Sequence, residues 1–502
     1  MQESIAWDAR FEVTADGRGL VKNAGVVLLR KTADAVGLTA RIAAVFGSGR
    51  ADRICRGAVL IGAASAIAAG ARNLSQAERL LGHHTSTFGR CGSDSTLWRV
   101  LDQADERILA RLGRAVAQSR RTVWRLLGNR PGGFPWLTIA GKRLDKWVVV
   151  DLDATVIACH SGKEHATGTF KGSFGHHHLG GWIANTGESV ALLPRPGNAG
   201  SNTAADHLSV IDQVLTQIPD ENKHAKILVR IDGAGASHET ITYLQGLNHS
   251  RRRVAWTIGW TITAAEESAI AAMPQTAWSP YLNQDGTIRT TPDPDAAPTL
   301  DDDAPAGIHI PDELVYGHVV EITGLLHRPG WPTGTRWIAR RVPITARDQA
   351  SGKLTDLENR TGWKYAVTAT NIERMRGIGG TGHAQWLDAL HRHHAIVEDR
   401  VRTGKNTGLA LLPSKSWTIN NAWTFLAGLA RDLDCWTRLL GFHDHDQLCT
   451  AEPATMRELV YTLPARLARH ARRIRLRFDT RHSHTDAIAT AWHRLSNLPQ
   501  VT

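Results

Sequence analysis

The sequence predicts an α/β protein, and three observations carry that expectation. Two short β-branched and aliphatic runs, Lys146 to Val150 and Ile227 to Ile231, read as buried strands, and each delivers an Asp near its end followed by small or turn-forming residues. A later stretch, Trp386 to Arg402, carries Leu387, Leu390, His394, Val397 and Val401 at helical spacings of three and four. Ahead of both, about residues 1–130 read as mostly helical.

In that N-terminal region, Gly25 to Phe46 places Val27, Leu28, Ala33, Val36, Ala40, Ile42 and Val45 on a broad apolar stripe, and Ser93-Asp94-Ser95-Thr96 caps the helix that begins Leu97-Trp98-Arg99-Val100-Leu101. Gly57 to Ala71 is the most apolar stretch. It is bounded by Arg56 and Arg72, is too short to cross a bilayer comfortably, and its Ala and Gly richness suits a closely packed core helix. Arg111, Arg114, Arg120, Arg121 and Arg125 accumulate after it. Two readings stand here: a helical DNA-binding domain, or a bundle that its arginines solvate.

The next unit, residues 144–260, opens with the first strand. Gly180 to Ala184 and Ser189 to Leu193, separated by Asn185-Thr186-Gly187-Glu188, predict an antiparallel hairpin. A helix over Ala204 to Gln217 leads to the strand ending in Asp232, and a helix over His238 to Leu247 leads to a strand at Arg253 to Ile258. Residues 261–376 begin differently, with Asp293, Asp295, Asp301, Asp302 and Asp303 among Pro292, Pro294, Pro298 and Pro305, a solvated turn-rich segment. The alternating stretches Leu314 to Ile322, Thr335 to Val342 and Lys364 to Ala369 make this interval a β-rich insertion. Residues 377–445 return to the α/β unit with Glu398, and 446–502 form a basic C-terminal region. In that region Ile474, Leu476 and Phe478 alternate with Arg473, Arg475 and Arg477, a strand with one apolar and one cationic face. Arg466, Arg469 and Arg472, three apart, predict a helix before it, and the dense charge of one sign favours a phosphate-tracking surface over a solvated edge protected by Arg.

Composition narrows the partner. Lys and Arg number 59 against 48 Asp and Glu, a formal charge of +11 that suits a polyanion. The 5 Cys show no CxxC pair, which argues against a disulfide framework or a structural zinc site. The opening MQESIAWDARFEV lacks a basic start leading into an apolar run, so a cytoplasmic, nucleoid-associated protein with no membrane partner is expected. His176, His177 and His178 alternate faces on a strand and cannot easily converge on one ion; a place near phosphate or on a sheet surface is expected.

The acids suggest the chemistry. Asp153 and Asp232 at strand ends, with Glu398 on a helix, would form a hard-oxygen site suited to Mg²⁺. Asp151 and Asp153 are two apart on one strand and point to the same face, so either could be the first ligand.

DLDAT, VRIDGAG, LLPRPGN between them, HHAIVEDRVRTGKNTGLALLPS and NNAWTFLAGLARDL together resemble the DDE transposases of bacterial insertion sequences, closest to the 1380 family; SDSTLWRVL also fits. The larger group carries a Tyr-x2-Arg-x3-Glu-x6-Lys signature, which here reads His391-x2-His394-x3-Glu398-x6-Lys405. The resemblance implies an RNase H-like catalytic core holding the β-rich insertion and preceded by the helical domain. It selects Asp153, in Asp-x-Thr context, with Asp232 and Glu398 as catalytic and metal-binding residues for Mg²⁺, with Mn²⁺ as an alternative. It places His391, His394 and Lys405 near DNA phosphate, and makes Trp331, Trp337 and Trp363 candidates by location for stacking on a base, with none assigned because most of the 17 Trp must serve packing. The partners it implies are double-stranded DNA, as terminal inverted repeats and target, and a second copy of the chain in a synaptic homodimer. The expected function is cut-and-paste cleavage and strand transfer, through a transient hairpin at the DNA end. An RNase H-like nuclease without strand transfer and a domesticated DNA-binding protein are the alternatives.

Overall fold

A computed structural model describes residues 14, 17–47, 55–82, 85–89, 91–200, 203–219, 226–249, 252–292, 313–326, 328–470 and 473–499. The acidic run from Asp293 to Asp303 and Arg472 lie outside the described residues. Helices α1 (Val27–Ala35), α2 (Leu38–Val45), α3 (Arg56–Ala68), α4 (Asp94–Asp102) and α5 (Glu106–Asn129) follow the apolar patterning of the N-terminal region. The Ser93 hydroxyl caps α4 by accepting the Thr96 N–H at 3.3 Å, which satisfies one of the donors a helix start leaves open. Nearly all of α3 is buried, and a Cβ on Gly57 would lie 2.7 Å from the Ala43 backbone. Its small residues therefore serve close helix packing. Among the described residues no helix is long and apolar enough to cross a membrane.

Strand β1 (Trp147–Ala158) runs through the middle of a ten-stranded mixed sheet. Val148, Val150 and Leu152 enter one hydrophobic core and Trp147 and Val149 another, so both faces are covered and the strand reads as a continuous apolar run. Strand β2 (Phe174–Ile183) pairs antiparallel with β1 and with β3 (Ser189–Leu193), the predicted hairpin, whose register shifts at Gly181/Trp182. On the other side of β1 lie β4 (Lys226–Ile231) and β5 (Arg253–Trp260), both parallel. Helix α6 (Ala204–Gln217) joins β3 to β4, and α7 (His238–Leu247) joins β4 to β5. The order is β3-β2-β1-β4-β5.

The stretches read as a β-rich insertion are extended: Glu313–Val315 pairs with Thr290–Pro292 in a separate two-stranded sheet, and the rest prolong the ten-stranded sheet. Strands β6 (His318–Glu321), β7 (Arg336–Pro343) and β8 (Trp363–Thr370) pair antiparallel in sequence, and β8 pairs with β5. Two-residue pieces, Thr167–Gly168 and Ser279–Pro280, close the two edges. The histidine triple sits inside β2, and all three side chains are buried. His176 faces the Glu164 carbonyl at 2.9 Å, His177 the Ala199 carbonyl at 3.0 Å and His178 the Thr424 hydroxyl at 3.3 Å. They are interior residues, not a sheet surface.

Helix α8 (Ala384–Arg392) covers the Trp147 and Val149 face of the sheet, and α9 (Ile396–Gly404) follows it. Helix α10 (Trp417–Gly441) is buried along most of its length and shares one core with α1 to α5 and with α11 (Thr485–Ser496). Strands β9 (Ala465–His470) and β10 (Arg473–Phe478) form a three-stranded sheet with Leu20–Val21. Arg466 and Arg469 thus lie on a strand where their spacing suggested a helix. Backbone pairing to β10 and to Leu20–Val21 outweighs the local pattern.

A buried ionic network joins the helical layer to the sheet. Arg120 on α5 donates to Glu188 of the β2–β3 turn at 2.8 Å, and also to Asp432 of α10 and Gln217 of α6. Glu188 also accepts from Trp124 at 2.9 Å and Trp436 at 2.6 Å, and Asp432 accepts the Ser189 N–H at 2.8 Å. Removing one partner of such a group strands the others in a low-dielectric interior. Arg120→Met is expected to lower unfolding free energy by about 3–5 kcal/mol, measured by chemical denaturation; an unchanged midpoint and slope would contradict it.

Candidate metal centre

The site begins with a buried ion pair. Parallel pairing sets Asp151 of β1 beside Arg230 of β4, and the guanidinium grips the carboxylate with two bonds, Nε–Oδ1 at 2.7 Å and Nη2–Oδ2 at 2.9 Å. His394 Nδ1 lies 3.0 Å from Asp151 Oδ1. Arg230 Nη1 donates to the Leu390 carbonyl at 3.1 Å and faces His393 Nδ1 at 3.1 Å. Burial opposes charge on Asp151, but Arg230 and His394 outweigh it and hold its pKa well below the carboxylate range. Both Asp151 oxygens are therefore engaged.

The same register carries the next two acids together. Leu152 pairs with Ile231 at the last step of the parallel pairing, so the following residues, Asp153 and Asp232, are neighbours where β4 ends, at the kind of strand end where ligands bind in open α/β sheets. Strand β1, expected to finish near Asp153, instead runs on to Ala158 because β2 continues to pair with it. Asp153 lies on the face of Asp151, two residues on. Its Oδ1 accepts the Ala154 N–H at 2.7 Å, and Asp232 Oδ1 accepts the Ala234 N–H at 3.1 Å, capping the turn Gly233–Gly235. The second oxygen of each has no protein partner among the described residues. A Cβ at Gly235 would meet Ile231 Cγ2 at 2.3 Å and His207 Nε2 at 2.8 Å, so this turn can follow Asp232 only with a glycine there.

Glu398 lies in the first turn of α9, exposed, and forms no hydrogen bond or ion pair among the described residues. Its neighbours are spent elsewhere: Arg402 pairs with Glu452 at 2.6 Å and Asp399 at 3.1 Å. Burial and the Asp232 charge push the Asp153 pKa up to about 6, with Glu398 adding to the rise and the Ala154 N–H and His394 opposing it. Asp232 and Glu398 both lie close enough to Asp153 for their charges to be felt there. Among the described residues no three His, Cys, Asp or Glu side chains converge tightly enough to hold an ion as they stand. The donor set itself, three carboxylates with unengaged oxygens, fits a hard divalent cation.

The other expected residues separate. The helix read from Trp386 to Arg402 is broken by a tighter turn, His393–Ala395, which aims His393 and His394 inward at the ion pair. His394 was expected to face DNA phosphate. It is buried instead against Asp151, and His391 Nδ1 meets the Thr257 hydroxyl at 3.1 Å. Burial, with His394 and Arg230 nearby, lowers the His391 pKa far below its ordinary value, so it stays neutral. Lys405 follows the last residue of α9, and the chain then leaves helical geometry at Thr407 and Gly408. Partial burial and the Lys171 charge lower its pKa, and the Asp153 charge opposes them. Of the candidate stacking residues, Trp337 is buried, and Trp331 packs edge-on against Trp260 at 4.9 Å.

The family model described as transposase DDE domain group 1 matches residues 4–500. The chain belongs to the DDE transposases. No curated protein matches the sequence. A solved structure, the piggyBac transposase synaptic complex with hairpin DNA, aligns with a TM-score of 0.40 and 8% identity over 96% of this chain and 83% of that chain.

Two residues of this transposase that sequence reasoning passed over are Arg230 and His393. A signal for Arg230 was present: it precedes Asp232 by two on a strand, as Asp151 precedes Asp153, and opposite charges at matching positions of paired strands attract. His393 carried no such signal, because its role depends on the turn between α8 and α9.

The raised Asp153 pKa has a sign that can be checked. Its protonation favours the fold, so that contribution is whole below the ordinary value of 3.8 and is lost as pH rises through about 6. In metal-free buffer the melting temperature of the transposase is expected to fall between those pH values relative to Asp153→Asn, which lacks the titration. Parallel melting curves across that window would refute the shift.

Proposed function

We propose that this DNA transposase cleaves DNA and transfers the cleaved strand at a divalent-metal site made by Asp153, Asp232 and Glu398, by a cut-and-paste route. The adjacency of Asp153 and Asp232 where the parallel pairing of β1 and β4 stops, with the Glu398 charge felt at Asp153, carries the reading. Strand order β3-β2-β1-β4-β5, antiparallel and then parallel, supports an RNase H-like core over 144–260 and 377–445, with 261–376 inserted as added strands. Asp153 is the first ligand, since Asp151 is committed to Arg230 and His394. Spacing from Glu398 to Lys405 favours the group with the Tyr-Arg-Glu-Lys signature, and within it the 1380 family.

Mg²⁺, or Mn²⁺, held by these carboxylates would supply activation of a water or 3′-hydroxyl and neutralise charge on the leaving oxygen. The chain's own residues do the rest. The middle of β1 and the capped end of β4 hold Asp153 and Asp232 on rigid backbone, and Lys405 neutralises a phosphate beside them. His391 and His394 act as positioning residues: His394 holds Asp151, and His391 anchors α8 to Thr257. The helices of residues 1–130 recognise terminal inverted repeats of double-stranded DNA, the 446–502 region adds basic surface, and two copies pair the ends in a synaptic homodimer in the cytoplasm.

Asp232→Ala is expected to cut metal-dependent cleavage of a terminal-repeat duplex by at least about 10³-fold while duplex binding persists. A joining assay on the wild-type chain with a pre-cleaved 3′ end should yield branched product in a second duplex. Cleavage without joining would leave a nuclease; cleavage surviving Asp232→Ala would remove the site.

A further inference from the structure

We propose that the hairpin of β9 and β10 is a DNA-contacting element separate from the carboxylate site, which holds the phosphate backbone of duplex DNA through a ladder of arginines. The register decides which side chains share a face. Arg466 stands opposite Arg477, Ala468 opposite Arg475 and His470 opposite Arg473. The other face pairs Ala465 with Phe478 and Leu467 with Leu476, which pack with Val21 and Ala24 in a small core of their own, and at its far end the exposed Arg469 with the exposed Ile474. One face of the hairpin is therefore anchored to the protein, and the other is cationic from end to end.

The cationic face has no internal neutralisation. Arg466, Arg473, Arg475 and Arg477 are exposed, and their side chains form no hydrogen bond or ion pair with another described residue. The nearest acid in sequence, Asp479, is taken by Arg481 at 2.8 Å. Like charges set directly opposite on paired strands are destabilising, so Arg466 facing Arg477 is a costly choice for a surface that only needs solvation. Lysine is the usual charged residue that protects an open edge, whereas this ladder is built of arginine on one face. Alternate residues of a strand are about 6.7 Å apart, close to two axial rises of about 3.4 Å between phosphates of one DNA strand. Guanidinium groups suit such a partner because each can bind phosphate oxygens with two parallel bonds.

Attachment of the hairpin gives this surface a use. The segment just before β9 is bound to the chain beyond the Glu398 helix: Arg457 donates to the Asn406 carbonyl at 3.1 Å and to the Ala68 carbonyl of α3 at 3.3 Å. Asn406 follows Lys405 directly. A duplex gripped by the arginines is thereby held in a set relation to the carboxylates and to the N-terminal helices.

The test uses the full chain and a labelled duplex of unrelated sequence, with EDTA present so that cleavage is silent and the result is independent of the carboxylate reading. Binding is titrated from about 50 to about 200 mM salt. Replacing Arg473, Arg475 and Arg477 together by Gln is expected to weaken binding at least about tenfold at the low-salt end and to flatten the log K against log salt slope by about 2 to 3, near 0.9 per phosphate. The matching Lys variant should keep the wild-type slope. If the triple Gln variant does not fold, Arg475→Gln alone is read the same way, with a slope change of about 1. A wild-type slope in the Gln variant, or an equal loss in the Lys variant, overturns the proposal.

Discussion

The bond between Asp151 and Arg230 is the constraint on which the candidate centre depends. It lies fully buried between the two parallel strands that deliver Asp153 and Asp232, so it fixes the register that makes those acids neighbours. It also reaches upward: Arg230 holds the Leu390 carbonyl and His393, and Asp151 holds His394. One ion pair therefore aligns both strands and seats the helix that carries Glu398. A slip of one residue between β1 and β4 would break it and leave two charges in the interior, which is far more costly than the loss of one strand pairing.

A second buried network, Arg120 with Glu188 and Asp432, does for the layers what the first does for the strands. Burial pushes the Asp432 pKa up to about 7 against the pull of Arg120, so this cluster is held together at the expense of solvation. Its members come from α5, the β2–β3 turn, α6 and α10. The N-terminal helices and the sheet are consequently positioned against each other by directional bonds as well as by apolar contact, and the shared core around α10 completes the contact. Interiors of this kind specify one arrangement because a displaced partner leaves unpaired charge.

Legibility in the sequence followed how local each determinant was. The strands leading to Asp153 and Asp232, the hairpin across Asn185 to Glu188, helices α6 and α7 and the Ser93 cap rest on periodicity and turn chemistry within a dozen residues, and all were readable. The stretch from Trp386 to Arg402 has unbroken helical spacing, yet it is interrupted at His393–Ala395 because Arg230 and Asp151 draw two successive histidines inward. Arg466 and Arg469 have helical spacing too, and lie on a strand because β10 and Leu20–Val21 offer backbone partners. The alternating stretches near Val320, Ile338 and Val367 were legible as strands, while their pairing to β5 was not.

The sequence alone determined the chemistry available: which carboxylates are carried by strands, where glycines permit a tight turn after Asp232, and which strand has a cationic face. Composition and periodicity suffice there, since they act between near neighbours. Only the tertiary structure decided that Asp151 is an ion-pair partner beside Asp153, that His391 and His394 face inward, and that Arg466 stands opposite Arg477. Each of those outcomes depends on the register between segments far apart in the chain, and register is set by the burial and pairing of side chains that no single segment contains.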